Sequence, residues 1–234
     1  MNASKYAAFF ARFRSLLALA LMVLALSLLS DHFLTADNGW NILRQISVNL
    51  CLSIGMTLVI LSGGIDLSVG AILALAGAVA AGLLKNGIGI PALDVALKFT
   101  TMGAILAGLI VGGGLGWANG FAITRFQLPP FVATLGMLSI ARGLTMLWTG
   151  GFPLTGLGDD FGRLGTGAFL GMPMPVWIML ALTAVFVVVT KRTRFGRHLY
   201  AVGGNERAAR LTGLNVGRIK IAVYTLAGAL AGVA

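Results

Sequence analysis

Long apolar runs separated by short polar stretches constrain this chain more than any other feature: they fall at roughly 15–34, 43–62, 68–84, 99–122, 130–148 and 174–190, and a further one begins near 218. A helix that crosses the ~30 Å hydrocarbon core of a bilayer needs about 20 mainly apolar residues, and each complete run is close to that length. Composition agrees, because 58% hydrophobic and 10% charged residues leave too little polar surface for a soluble domain of 234 residues. The expected fold is an all-α membrane protein, a polytopic transmembrane helix bundle with about six complete spans plus a truncated seventh, treated as a single transmembrane domain over 1–234. The seventh is expected to be incomplete because the uncharged stretch Ile221–Ala234 is 14 residues long, about 21 Å as a helix. Lys5, Arg12 and Arg14 precede the first run as they would in a signal peptide, but no small-x-small cleavage site follows Leu29 before Asp31 and His32, so the run reads as an uncleaved span.

The net charge of +10 is distributed by topology. With the N-terminus inside, segments 1–14, 63–67, 119–129 and 191–220 hold twelve of the 17 Lys and Arg, against four on the other side (Arg44, Lys85, Lys98, Arg163), while Arg142 lies within the fifth run. This is the positive-inside bias, and it predicts a cytoplasmic N-terminus. The basic residues sit between apolar runs rather than in aromatic-interleaved patches, which argues against nucleic acid as a partner. The one cysteine, Cys51, lies inside an apolar run and has no intrachain disulfide partner. No zinc-ligand spacing, phosphate-binding lysine loop or nucleophile elbow is present, so no catalytic residue, cofactor or metal site is expected.

Glycine supplies the packing signal. Ala104, Gly108, Gly112, Gly116 and Gly120 recur every four residues along the fourth run, a small-residue ridge that lets a neighbouring backbone approach. Because a four-residue step turns about 400°, the ridge drifts by about 40° per step and is expected to serve more than one neighbour. Gly70, Ala74, Ala78 and Gly82 repeat the pattern in the third run.

Polar residues interrupt the apolar text at two places. Gly63-Gly64-Ile65-Asp66-Leu67-Ser68 breaks what is otherwise an apolar stretch from about Leu43 to Leu84. Two glycines free the backbone, and Asp66 stands where it could cap the next helix or, as an expensive carboxylate near the membrane, mark a pathway or hinge. Asn49, Trp117 and Asn119 are weaker candidates for a polar passage. The second place is Lys191–Lys220, with eight basic residues and one acid. Here Asn205 suits an N-cap, Glu206 the positive end of a helix, and Gly213 a C-terminal stop, which predicts a helix of about seven residues. Ala208, Leu211 and Thr212 would share one face beside Arg207 and Arg210, a small surface suited to a cytoplasmic partner.

Two stretches carry a resemblance. Thr57-Leu-Val-Ile-Leu-Ser-Gly-Gly-Ile-Asp-Leu-Ser-Val-Gly70 and Phe195-Gly-Arg-His-Leu-Tyr-Ala-Val-Gly-Gly-Asn-Glu-Arg-Ala-Ala-Arg-Leu-Thr-Gly-Leu214 closely resemble the membrane permeases of bacterial monosaccharide ATP-binding-cassette (ABC) importers of the ribose, xylose and galactose type. The resemblance implies an inner-membrane location and a second permease chain, identical or not. It further implies a cytoplasmic ABC ATPase and a periplasmic sugar-binding protein. It also implies that 205–213 is the coupling helix that seats in the ATPase, with Gly203, Gly204, Asn205, Glu206, Ala208, Ala209, Leu211 and Gly213 at that contact. The Ala208-Ala209-x-x-x-Gly213 spacing is similar to the broader importer pattern Glu-Ala-Ala-x-x-x-Gly, but Arg207 stands in place of the Glu and no Leu-Pro follows. Members of that family continue through several more spans. The expected function is the permease subunit for a monosaccharide. The alternatives are a permease for branched-chain amino acids or nucleosides, or, from another class, a secondary transporter or channel, or a membrane scaffold.

Overall fold

The computed structural model describes the backbone of residues 3–90 and 95–234 and the side chains of 13–88 and 97–234. Lys5 and Arg12, which contribute to the expected cytoplasmic charge, lie outside the described side chains. The chain divides into two compact units, Met1–Gln45 and Ile46–Ala234. The first holds α1 (Ala3–Leu29) and the opening of α2 (Ala36–Leu61). That helix begins earlier than the apolar run at 43. Thr35 Oγ1 accepts from the Asn38 amide at 3.3 Å, Asn38 Nδ2 donates to the Phe33 carbonyl at 2.8 Å, and Asp37 lies in the first turn. Polar residues that a hydropathy reading discards are those that start a helix.

The second unit contains the rest of α2, then α3 (Val69–Asn86), α4 (Thr101–Arg125), α5 (Pro130–Thr149), α6 (Asp159–Thr166), α7 (Met174–Arg192), α8 (Arg194–Gly204), α9 (Glu206–Leu211) and α10 (Val216–Val233). Two short antiparallel hairpins join spans. One pairs β1 (Ile88–Ile90) with β2 (Val95–Leu97); the other pairs β3 (Ala168–Phe169) with β4 (Met172–Pro173). Neither hairpin nor α6 was expected, because each is built from a handful of residues with no readable period. Among the described residues six helices (α2, α3, α4, α5, α7 and α10) are long and apolar enough to cross a membrane, and Phe13–Leu29 of α1 is a shorter apolar helix. The polytopic helix bundle expected from the apolar runs is the observed fold. The last helix starts at Val216 and has 18 residues, about 27 Å.

Close backbone approach holds the second unit together. The α4 ridge faces α10 and meets a second small-residue stripe there. A Cβ on Gly112 would strike the Gly228 carbonyl and one on Gly228 the Gly112 carbonyl; one on Gly116 would strike the Tyr224 carbonyl, and one on Gly120 would come within 2.7 Å of Ile221 Cα. Gly108, at the start of the ridge, also turns toward α3, where a Cβ would lie 3.3 Å from the Ala76 carbonyl. The drift around the helix thus gives the ridge two neighbours. The α3 repeat is different. Gly70 and Ala74 are exposed, and α3 buries Ala71, Ile72, Leu75, Ala76, Ala80 and Ala81 instead. Only the far end of that repeat packs, where Gly82 accommodates the indole of Trp148 and Trp148 Nε1 donates to the Ala78 carbonyl at 3.0 Å.

Candidate functional site

The two polar interruptions in the sequence come together in the second unit. Leu58 and Val59 of α2, Leu199 of α8, and Val223 and Tyr224 of α10 form one buried cluster, with Leu61 and Phe195 packed against it. Gly203, at the end of α8, meets the end of α2 so closely that a Cβ there would collide with the Leu61 carbonyl.

Between α2 and α3, residues 62–68 form a non-helical bridge that is buried at Ser62, Gly64, Asp66 and Ser68. Gly63 takes φ +76°, a left-handed conformation that L side chains rarely adopt. Unpaired backbone groups at membrane depth cost several kcal/mol each, and the bridge answers this by hanging from three other helices. Tyr224 of α10 donates its hydroxyl to the Ile65 carbonyl at 3.3 Å. Thr134 Oγ1 of α5 accepts from the Leu67 amide at 3.2 Å and donates to the Pro130 carbonyl at 2.9 Å. Asn119 Nδ2 of α4 donates to Ser68 Oγ at 2.9 Å, and Ser68 Oγ donates in turn to Asp66 Oδ1 at 2.6 Å.

Asp66 does not bond the first-turn amides of α3. Its Oδ1 accepts from the amide of Ser68 at 2.8 Å, and Ser68 occupies the N-cap position of α3 without a capping bond from its own side chain. The carboxylate orders the cap from two residues upstream, the local turn geometry that Asp favours. Its Oδ2 is buried without a hydrogen-bond partner. Gly64 makes room for the clamp, since a Cβ there would fall 2.5 Å from the Tyr224 hydroxyl oxygen.

Of the three residues considered for a polar passage, only Asn119 joins this hub. Asn49 is exposed on α2, and Trp117 is half-exposed and stacks on Phe121 with ring centroids 5.3 Å apart. Thr134 and Tyr224 were not singled out from sequence. A lone Thr or Tyr in an apolar run carries no pattern, and their role follows from partners 69 and 159 residues away.

The polar segment after α7 folds as two helices, not one. Thr193 caps α8 by accepting from the Gly196 amide at 3.3 Å, and Asn205 caps α9 by accepting from the Ala208 amide at 3.0 Å. The six-residue α9 ends at Gly213 with φ +85°, where the Leu214 amide returns to the Ala209 carbonyl at 3.1 Å. A residue with a Cβ in that conformation costs about 1–2 kcal/mol. Ala208, Leu211 and Thr212 point outward, with Leu211 89% exposed. Ala209, expected at the partner contact, is instead buried with Val202, Val216 and Ile219. On a 100° helical wheel it lies about a quarter turn or more round from the centre of the outward face. Gly204 and Asn205 are exposed beside the cap.

Glu206 ties the outer helix to the membrane helix. Its Oε2 accepts from Lys220 Nζ of α10 and its Oε1 from Arg210 Nη2 of α9, both at 2.7 Å. These hydrogen bonds, that from Lys220 first, hold the Glu206 carboxyl below its ordinary value of 4.5. Beside the tie an open polar cleft of about 550 Å³ is lined in part by Thr124, Gln127, Glu206, Arg210, Asn215 and Lys220. Among the described residues no group of three or more His, Cys, Asp or Glu side chains is placed to hold a metal ion.

Comparison with known proteins agrees with this architecture. Residues 39–234 match the family described as branched-chain amino acid transport system / permease component. The ribose import permease RbsC of Escherichia coli K12 is 44% identical over 225 residues, covering 94% of this chain and 67% of that protein. The D-allose transport system permease AlsC of the same strain is 35% identical, covering 98% and 68%. The L-arabinose ABC transporter permease AraH of Azospirillum brasilense is 34% identical, covering 94% and 62%. The chain thus spans about two thirds of the length of these relatives. No solved structure matches it. With most of its length matched both by the family and by sugar permeases at this level of identity, the chain belongs to the permease components of importers, in the company of the monosaccharide permeases.

Proposed function

We propose that this chain is the permease subunit of an ABC importer, contributing the translocation path for a monosaccharide that a periplasmic binding protein delivers and separate ATPase subunits drive. The observation that carries this reading is the union of two distant stretches. An exposed capped helix, α9, is fastened through Glu206 and Lys220 to α10 and, through α8, abuts the buried bridge at 62–68. A scaffold needs no such outward helix, and a secondary transporter needs ion-coupling carboxylates at depth, whereas Asp66 is the one carboxylate buried among the described residues. Relatives named as ribose, allose and arabinose permeases favour a sugar over the branched-chain amino acids in the family's description.

In this reading α9 docks on the ATPase through Ala208, Leu211 and Thr212, a second permease chain completes the pore, and the N-terminus is cytoplasmic in a bacterial inner membrane. The test is isolation of the tagged chain from its native membranes, followed by uptake of labelled ribose, allose, arabinose and leucine into proteoliposomes. Co-purification of an ABC ATPase and ATP-dependent uptake of one of the sugars is the expected result. Uptake driven by an ion gradient without ATP, or of leucine alone, overturns it.

A further inference from the structure

Lys220 and Tyr224 stand four residues apart on α10, on one face and about 6 Å apart along the axis. Each makes one polar bond to a different part of the protein. Lys220, whose side chain is only 18% exposed, grips Glu206 of α9 at 2.7 Å. Tyr224, fully buried, reaches the Ile65 carbonyl in the bridge between α2 and α3. The body of Tyr224 has no slack. Its backbone carbonyl lies against Gly116 of α4, and its hydroxyl occupies the space that a side chain on Gly64 would need. A displacement of α10 along or about its axis must therefore either carry Ile65 with it or break the hydrogen bond, and the next residue in the bridge is Asp66, anchored on Ser68, which Asn119 holds in turn.

We propose that Lys220 and Tyr224 are positioning residues that make α10 a rigid link, so that the position of the docking helix α9 sets the conformation of the buried bridge at 62–68. The inference rests on the docking role proposed for α9. Gly203 against Leu61 is a second, direct contact between the polar segment and the end of α2 that leads into the bridge, so the link through α10 is not the sole one, and its removal loosens coupling without dissolving the assembly. No ion needs to move and no group needs to change its protonation. The bistable element is the bridge itself, suspended from α5, α4 and α10 by the single neutral side chains of Thr134, Asn119 and Tyr224 and braced internally by Asp66 on Ser68.

The variants are chosen to spare the fold. Tyr224→Phe removes one hydroxyl, Lys220→Met keeps the stem and loses the charge, and Lys220→Arg keeps the charge. In the complete transporter reconstituted in proteoliposomes, ATP hydrolysis and sugar uptake are measured on the same preparation. Tyr224→Phe and Lys220→Met are expected to keep ATPase association and hydrolysis within about twofold of wild type while sugar moved per ATP falls about fivefold, a size typical of residues that carry coupling. Lys220→Arg should restore the ratio, and the Tyr224→Phe, Lys220→Met double variant should fall no further than the worse single variant, because both act on one link. An unchanged sugar-per-ATP ratio in both single variants overturns the proposal, and so does a parallel loss of association, hydrolysis and uptake, which makes the residues structural only. A second measurement needs no ATPase. In the isolated chain in lipid nanodiscs, Lys220→Met should speed amide exchange at Leu67 and Ser68 about threefold or more relative to α4. If those amides are unaffected the link fails, whatever the outcome for docking; if they respond but no ATPase binds, the docking reading alone fails.

Discussion

Asp66 shows how one side-chain oxygen serves two donors of the same neighbour. Its Oδ1 holds both the amide and the hydroxyl of Ser68, so Asp66→Asn, which keeps a carbonyl oxygen there, should unfold in detergent within about 1 kcal/mol of wild type, whereas Asp66→Leu strands two buried donors and should lose about 1–3 kcal/mol. Equal damage from both substitutions in a thermal melt would mean that the charge, not the acceptor, is what matters. Glu206 gives a pH prediction with a definite sign. Its carboxyl is held below the ordinary 4.5 by Lys220 and Arg210, so the tie contributes fully above that value and is lost only as pH falls through the lowered one. Amide exchange of α9 should be flat from neutral pH to about pH 5 and accelerate only below 4.5, after correction for intrinsic rates. A loosening centred at pH 6 would point instead to a histidine, of which the chain has two. Sequence made Asp66 and Glu206 legible because a carboxylate stands out in apolar or basic text. It hid Thr134 and Tyr224, whose significance is created by the chain's return from far away.

At the scale of elements, α4 and α9 behave differently from what their spacing alone conveys. The four-residue glycine repeat of α4 identified the packing face, and the model of a drifting ridge accounts for its two neighbours. Gly116→Ala drives a methyl into the Tyr224 carbonyl, while Gly114→Ala meets nothing within 4 Å. The first should lower thermal stability in detergent by about 1–3 kcal/mol and the second should be neutral or mildly stabilising, since alanine is the better helix former. The same spacing misled in α3, because the repeat does not say which side of a helix has neighbours. In α9 the pair Leu211→Asp and Ala209→Glu separates surface from core. Leu211→Asp changes an exposed side chain and should abolish ATPase co-purification with no change in melting temperature. Ala209→Glu buries a charge among Val202, Val216 and Ile219 and should lower the melting temperature as well. If Leu211→Asp binds the ATPase normally, α9 is not the docking element. Sequence anticipated the Asn205 cap and the Gly213 stop, but not α8, which lies in a stretch too polar for a span and too glycine-rich for a helix by propensity.

For the whole molecule, the apolar runs made the class of fold legible, and their polar borders displaced the helix ends by several residues. Orientation rests on charge alone, and a labelling experiment decides it. In a Cys51→Ala background, an impermeant thiol reagent applied to intact cells should label Thr155→Cys and spare Tyr200→Cys, both at exposed positions; the reverse pattern inverts the topology. The suspension of the bridge at 62–68 also has a consequence for how the protein is made. The Tyr224 hydroxyl that secures Ile65 is encoded 159 residues later, which at 5–20 residues per second arrives about 8–30 s after its partner. Until α10 inserts, the Ile65 carbonyl at the centre of the bridge lacks its Tyr224 donor. The nascent chain therefore passes through an interval in which α2 and α3 are made but their bridge is not yet fastened to α10. Substitutions at Tyr224 that leave the finished protein stable should still lower its yield in cells with slowed translation.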